Sequence, residues 1–209
     1  VTIQLNVPND LPMGSLAAWK QEGIAQKYAE ILELLGYNRH DEHMQDTPAR
    51  AAKALWEFRR KENDVAVERY LGRDFESQHD SMVQVGPIQV VSMCAHHVLP
   101  VTGWAWVGYI PDSRVTGLSK LARLVDHYAH QLTIQERLTQ QIVEAVDQYL
   151  EPRGCMVVIR AWHGCMSLRG VEEPCAGTVT SAVRGLFLTD GAAKAEFMTL
   201  MTPVGGILQ

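Results

Sequence analysis

The sequence predicts an α+β fold built around an antiparallel sheet. Three observations predict it. Apolar residues recur near helical spacing through the first 80 residues, segments from Val83 onward are β-branched and partly alternating, and the order from there is two strands, two helices, two strands. The domain reading is a helical N-terminal region over residues 1–80, a catalytic domain over 81–201 and a short, loose tail over 202–209. Four strands in one chain leave exposed edges, so the sheet requires a cover or a pairing partner.

The first helix begins near Ser15, a residue suited to capping, and carries Leu16, Ile24, Tyr28, Ile31, Leu32 and Leu35 near helical spacing, with Gly36 as its stop. TPARAAKALWEFRRKE predicts a second helix with Thr47 as N-cap and Pro48 in the first helical position, where a missing N–H costs nothing. VQVGPIQVVSM and VTGWAWVGYIP read as an antiparallel pair of strands, and PDSRVTG as a connection rich in turn residues. LSKLARLVDHYAHQL and TIQERLTQQIVEAVDQYLEP are helices, CMVVIRAWH and GTVTSAVRGLFL are strands, and GAAKAEFMTLM is a final short helix.

The 209 residues suffice for one large domain or two small ones. A net charge of −5 argues against general nucleic-acid binding, which needs a strongly basic face, but leaves room for a local basic pocket for a small anion. No apolar stretch has the length of a membrane-spanning helix, and no cleavable secretory signal is visible. The start, VTIQLN, lacks an initiator Met and reads as a missing true N-terminus. A reduced cytoplasmic setting is expected, and there clustered Cys and His point to metal or catalysis rather than to disulfides.

Such a cluster is present. SMCAHHVLP places Cys94, His96 and His97 within four positions, and a tight turn lets Cys94 and His97 face one ion. Because His96 and His97 cannot both point inward from an extended strand, either the chain turns here or one of them is an ordinary exposed histidine. AWHGCMSLRG adds His163 and Cys165, which face the same way if the strand continues through them. Cys94, His97 and one group of that second pair make three protein ligands, the open arrangement of catalytic zinc. Thiolate and imidazole suit zinc better than magnesium or calcium. Cys155 and Cys175 read as small buried hydrophobes, and His127 and His130 as surface or boundary residues.

No glycine-rich phosphate loop is present, so any phosphates must be held by side chains. Lys120 and Arg123 lie one turn apart beside Ser119 at a helix start, where backbone N–H groups favour an anion. Arg50 and Lys53 form a second such pair, and Arg169 follows the His-Gly-Cys run. For each of these cations a solvated surface charge is the default. Thr133 and Glu136 have capping-box spacing, so Glu136 reads first as a helix cap and second as an acceptor for a guanine edge.

Taken in order, TPARAAK, SMCAHHVLP, GYIPDSRVTGLSKLARLV, QERLTQQI, HGCMSLRG and TVTSAVRGLF resemble GTP cyclohydrolase I over residues 20–201. The resemblance implies a T-fold, with antiparallel strands and paired helices assembling into a toroidal homodecamer that has active sites at subunit interfaces. It implies zinc at Cys94, His97 and Cys165, proton transfer by His96 and His163, and Ser119 near the ribose. It also implies guanine recognition by Gln135 and Glu136, and a triphosphate held by Arg50, Lys53, Lys120, Arg123 and Arg169. The implied reaction turns GTP and water into formate and 7,8-dihydroneopterin triphosphate, feeding folate, tetrahydropterin or 7-deazaguanine synthesis. Ala95 stands where the family motif carries Glu, and HDEHMQD replaces the usual Arg-x-Gly-Leu run. Since Ala95 is not a ligand position, metal ligation is expected to survive while local charge changes. Two other readings stay open: a GTP-binding regulatory homologue without turnover, and a related T-fold enzyme acting on another purine or pterin.

Overall fold

The computed structural model describes residues 15–38, 40–59, 67–72, 74–76 and 78–201. The Ser15 cap rests on a side chain outside the described residues, as does the tail at 202–209. The chain divides into two compact units, Val1–Arg59 and Arg60–Gln209.

The first unit pairs α1 (Ser15–Leu34) with α2 (Thr47–Phe58). Gly36 stops α1 as its composition predicts. With φ +84 it takes the left-handed conformation, its N–H donates to Glu33 O, and the Tyr37 N–H reaches back to Leu32 O, forming a Schellman cap. The start of α2 differs from expectation by one residue. Asp46, not Thr47, is the N-cap, and its carboxylate bonds Arg50 Nη2 at 3.0 Å instead of capping the backbone.

The second unit contains α3 (Glu68–Leu71), β1 (Asp74–Glu76), β2 (Val83–Cys94), β3 (Pro100–Ile110), β4 (Arg114–Thr116) and α4 (Leu118–Ala129). It continues with β5 (Leu132–Thr133), α5 (Gln135–Leu150), β6 (Gly154–His163), α6 (Gly164–Ser167), β7 (Gly177–Gly185) and α7 (Gly191–Leu200). The main sheet runs β5-β2-β3-β6-β7, antiparallel except where β5 joins β2. The expected α+β architecture with an antiparallel-rich sheet and paired helices is therefore present, consistent with the T-fold.

Three small strands, β1, β4 and β5, escaped the sequence reading. β4 lies inside the expected connection and pairs with β1, supported by an Arg114–Asp74 ion pair and by the Thr116 N–H donating to the buried Tyr109 hydroxyl at 3.1 Å. β5 has only two residues, too few for any periodicity to register.

One face of the sheet packs on α4 and α5. Val90, Val107, Tyr109, Val157 and Ile159 meet Leu121, Leu124, Leu138, Ile142 and Val146, all almost fully buried. Each such side chain contributes about 1.5–3 kcal/mol when removed from water. Part of the other face is covered by α7, where Phe187 and Phe197 stack edge to face over Trp106, Met156 and Val158. The apolar run of β6 is thus explained by burial on both faces. Gly103 lies where β3 and β6 approach most closely, and a Cβ there would collide with the Arg160 carbonyl and Ala161.

Candidate active site

The antiparallel registers bring two distant segments to one corner. Cys94 ends β2, Pro100 begins β3, and Val101 pairs with His163 at the end of β6. Between Cys94 and Pro100 the chain turns, as one of the two alternatives for His96 and His97 requires. Val98 N–H donates to Cys94 O and Cys94 N–H to Leu99 O, both at 2.9 Å, with Val98 at φ +54. The two-residue β5 fixes this turn from the side: Thr133 pairs with Cys94, and Thr133 O accepts from the Ala95 N–H at 3.0 Å.

The second segment does not continue as a strand. β6 ends at His163 and the chain enters the one-turn helix α6, so His163 and Cys165 do not share a strand face. Gly164 allows this turn to close against the start of β3. A Cβ there would lie 3.1 Å from Pro100 O. Cys165 is carried by that turn to Cys94 and His97, and the three ligand atoms lie within 4.8 Å of one another.

Cys94 Sγ is 3.8 Å from His97 Nδ1 and 3.9 Å from His96 Nδ1. Tetrahedral zinc with one sulfur and one nitrogen ligand holds them about 3.5 Å apart, so the Cys94–His97 spacing fits. The Cys165 thiol is pushed up by burial and then by Cys94 beside it, while Arg169 pulls it down. A pair of thiols this close is suited to a divalent cation, which stabilises thiolates. Arg169 Nη1 also lies 3.3 Å from His97 Nε2, joining a basic side chain to the corner.

His163 is half-buried. Desolvation lowers its pKa from the ordinary histidine value, and Glu136 opposes that shift. Its Nε2 lies 2.7 Å from Gln135 Oε1 at the start of α5. Gln135 is buried, whereas Glu136 is exposed. The capping box expected for Glu136 does not form. Ile134 is the N-cap of α5, and the Thr133 hydroxyl donates to Ile134 O instead.

The basic residues are dispersed. Ser119 and Arg123 on α4 are exposed and Lys120 is partly exposed. Arg50 pairs with Asp46 at 3.0 Å and Lys53 with Glu57 at 3.7 Å, both within the first unit. Cys155 is a buried small hydrophobe as expected, but Cys175 is exposed, because Pro174 and its neighbours run along the surface. Thr139 and Thr180, bonded to Gln135, were not singled out by sequence. Their signal was a threonine on the buried side of α5. A groove of about 710 Å³ on the sheet, lined by Trp104, Arg160, Trp162 and Cys175, contains none of the expected site residues. The Cys-His-Cys corner is the better candidate, because it has the donor chemistry that the groove lacks.

An antiparallel-rich sheet with paired helices carries two thiols, three imidazoles and a buried amide at one corner, the donor set of a candidate metal-dependent enzyme. The GTP cyclohydrolase I family profile matches residues 24–202. The GTP cyclohydrolase 1 of Desulforamulus reducens is 49% identical over 173 residues, covering 82% of this chain and 91% of that protein. The proteins of the same name from Thermobifida fusca and Mycolicibacterium vanbaalenii are 46% and 49% identical, covering 87% and 82% of this chain, and 88% and 86% of their own lengths. The chain belongs to the GTP cyclohydrolase I family, a family of hydrolases. Among the described residues, no helix is long and apolar enough to cross a membrane.

Proposed function

We propose that the chain is a zinc-dependent GTP cyclohydrolase I, opening the guanine imidazole ring of GTP to give formate and 7,8-dihydroneopterin triphosphate. The observation that carries this reading is the convergence of Cys94, His97 and Cys165, from segments about 70 residues apart, within 4.8 Å. These three residues would hold the ion, and the chemistry zinc would supply there is activation of water near neutral pH.

The remaining steps belong to side chains. His163 and His96 move protons. Protonating N7 makes C8 of the purine electrophilic, and the later ribose rearrangement needs a second shuttle near the sugar, where Ser119 is placed. Glu136 stands at the guanine end, where an exposed carboxylate accepts paired N–H donors, with Gln135 preceding it at the start of α5. Arg50, Lys53, Lys120, Arg123 and Arg169 hold the triphosphate, and fixing the purine over the corner lowers the barrier by several kcal/mol. Ala95 removes a carboxylate from the turn, leaving less negative charge for a polyphosphate to meet.

The catalytic T-fold domain is read as residues 81–201, preceded by a helical region over 1–80 and followed by a tail over 202–209. Assembly into a toroidal homodecamer, with sites completed at subunit interfaces, would pair β7 at the sheet edge and gather cations that one chain disperses. The setting is cytoplasmic, without nucleic acid or membrane partners. Incubating zinc-loaded protein with GTP tests the reading: formate release and a fluorescent pterin after oxidation are expected. Tight GTP binding by the zinc-loaded oligomer without formate would instead select a regulatory homologue.

A further inference from the structure

Gln135 is 4% exposed, and its amide nitrogen, with two N–H donors, faces three acceptors. Nε2 lies 3.0 Å from Ile159 O, 3.1 Å from Thr178 O and 3.0 Å from Thr180 Oγ1. Two of these are backbone carbonyls, which only accept, so the amide nitrogen must face them and the oxygen must face His163. Oε1 can only accept, so His163 Nε2, 2.7 Å away, carries its proton towards Gln135. This assignment holds whether the imidazole is neutral or protonated.

A second layer keeps the amide in place. The Thr139 hydroxyl donates to Gln135 O at 2.8 Å and lies 2.6 Å from Thr180 Oγ1. With Thr139 already donating, Thr180 donates to Thr139 and accepts from Gln135, so the directions around the cycle are consistent.

We propose that Gln135, backed by Thr139 and Thr180, is a positioning residue that fixes the tautomer and ring orientation of His163. Proton exchange with substrate then takes place at Nδ1. The inference rests on His163 being a proton-transfer group of the proposed reaction, and it assigns the Gln135 side chain to the histidine rather than to the guanine edge. Recognition of guanine side-chain donors is left to Glu136.

The direct test is ¹⁵N NMR of histidine-labelled, zinc-loaded protein, with His163 assigned by its loss in His163→Gln. In the unmodified chain the His163 pair reports a protonated Nε2 and an unprotonated Nδ1. In Gln135→Met that pair shifts towards a tautomer mixture, while the other histidines keep their positions. An Nδ1-protonated His163 in the unmodified chain, or His163 signals unmoved in Gln135→Met, overturns the proposal.

The kinetic arm separates positioning from recognition. Gln135→Met should lower kcat by about 10- to 100-fold with KM for GTP within about threefold, the signature of a misplaced group. A large KM rise with kcat retained would mean guanine contact and overturn it. Should Gln135→Met fail to fold, Thr180→Val against Thr180→Ser decides. The valine variant should lose several-fold in kcat and shift His163, with the serine variant restoring both; identical behaviour of the two contradicts the proposal. An unmodified chain that releases no formate would defeat the cyclohydrolase reading, while the NMR result would still decide the pairing.

Discussion

The two halves of the proposed site are built differently. The sulfur–imidazole corner is assembled by backbone: strand registers, a turn closed by three hydrogen bonds, and a glycine that lets α6 approach β3. The phosphate-binding set is assembled by nothing comparable. Lys120 and Arg123 project from α4 into solvent, and Arg50 and Lys53 are occupied by neighbouring carboxylates. Only Arg169 is tied to the corner, through His97. Metal ligands must converge within a few ångström of one ion, whereas long, flexible cationic side chains can gather around a polyphosphate. In the proposed site, the chemistry end is thus preorganised and the recognition end adaptable.

The largest effects should come from breaking the rigid half. Cys94→Ser or Cys165→Ser is expected to abolish zinc retention and reduce formate release by about a thousandfold or more. Metal analysis beside the turnover assay checks this, and a variant that keeps full zinc would remove its sulfur from the ligand set. His163→Gln should cost about 100- to 10,000-fold in kcat while zinc content stays unchanged, separating proton transfer from ligation. Parallel loss of zinc would move His163 into the ligand set.

The adaptable half should respond more mildly. Arg123→Ala or Lys120→Ala is expected to raise KM for GTP about tenfold with a small change in kcat, and the difference should shrink as salt is added. A salt-independent loss of kcat would show instead that these cations act on the reacting atoms. The smallest effect concerns the fold alone. Burial pushes the Cys155 thiol up to about 12, with Asp147 adding to it. A raised folded pKa means the protonated form is favoured in the native state. Its stabilising contribution is complete below the unfolded thiol range near 8.5 and is lost as pH rises towards 12. Thermal melts between pH 8 and 11 should show a falling Tm, less steep in Cys155→Ala.

Much of this was legible in the sequence for stated reasons. Strands β2, β3 and β6 carry β-branched runs, and α4 and α5 repeat Leu, Ile and Val at helical spacing, so burial alone dictates them. The Cys-Ala-His-His run and the His-Gly-Cys run announced the Cys-His-Cys corner. What escaped depends on tertiary pairing. β5 has two residues and exists because Thr133 meets Cys94. The expected strand ends at His163, as β6 does, and the shared face conditionally offered for His163 and Cys165 is absent because α6 turns at Gly164. Glu136 looked like a cap because spacing records which residues can bond, not that Thr133 is engaged elsewhere. The resemblance assigned Gln135 to guanine but could not show what holds its side chain, because its four partners lie 24 to 45 positions away.

The most direct measurement is a zinc titration of chelator-stripped protein, recording formate from GTP against zinc equivalents per chain. Activity should climb from near zero and level off at one equivalent, with no recovery in Cys94→Ser. Full formate release by the stripped protein, or a plateau unrelated to one zinc per chain, would contradict the account.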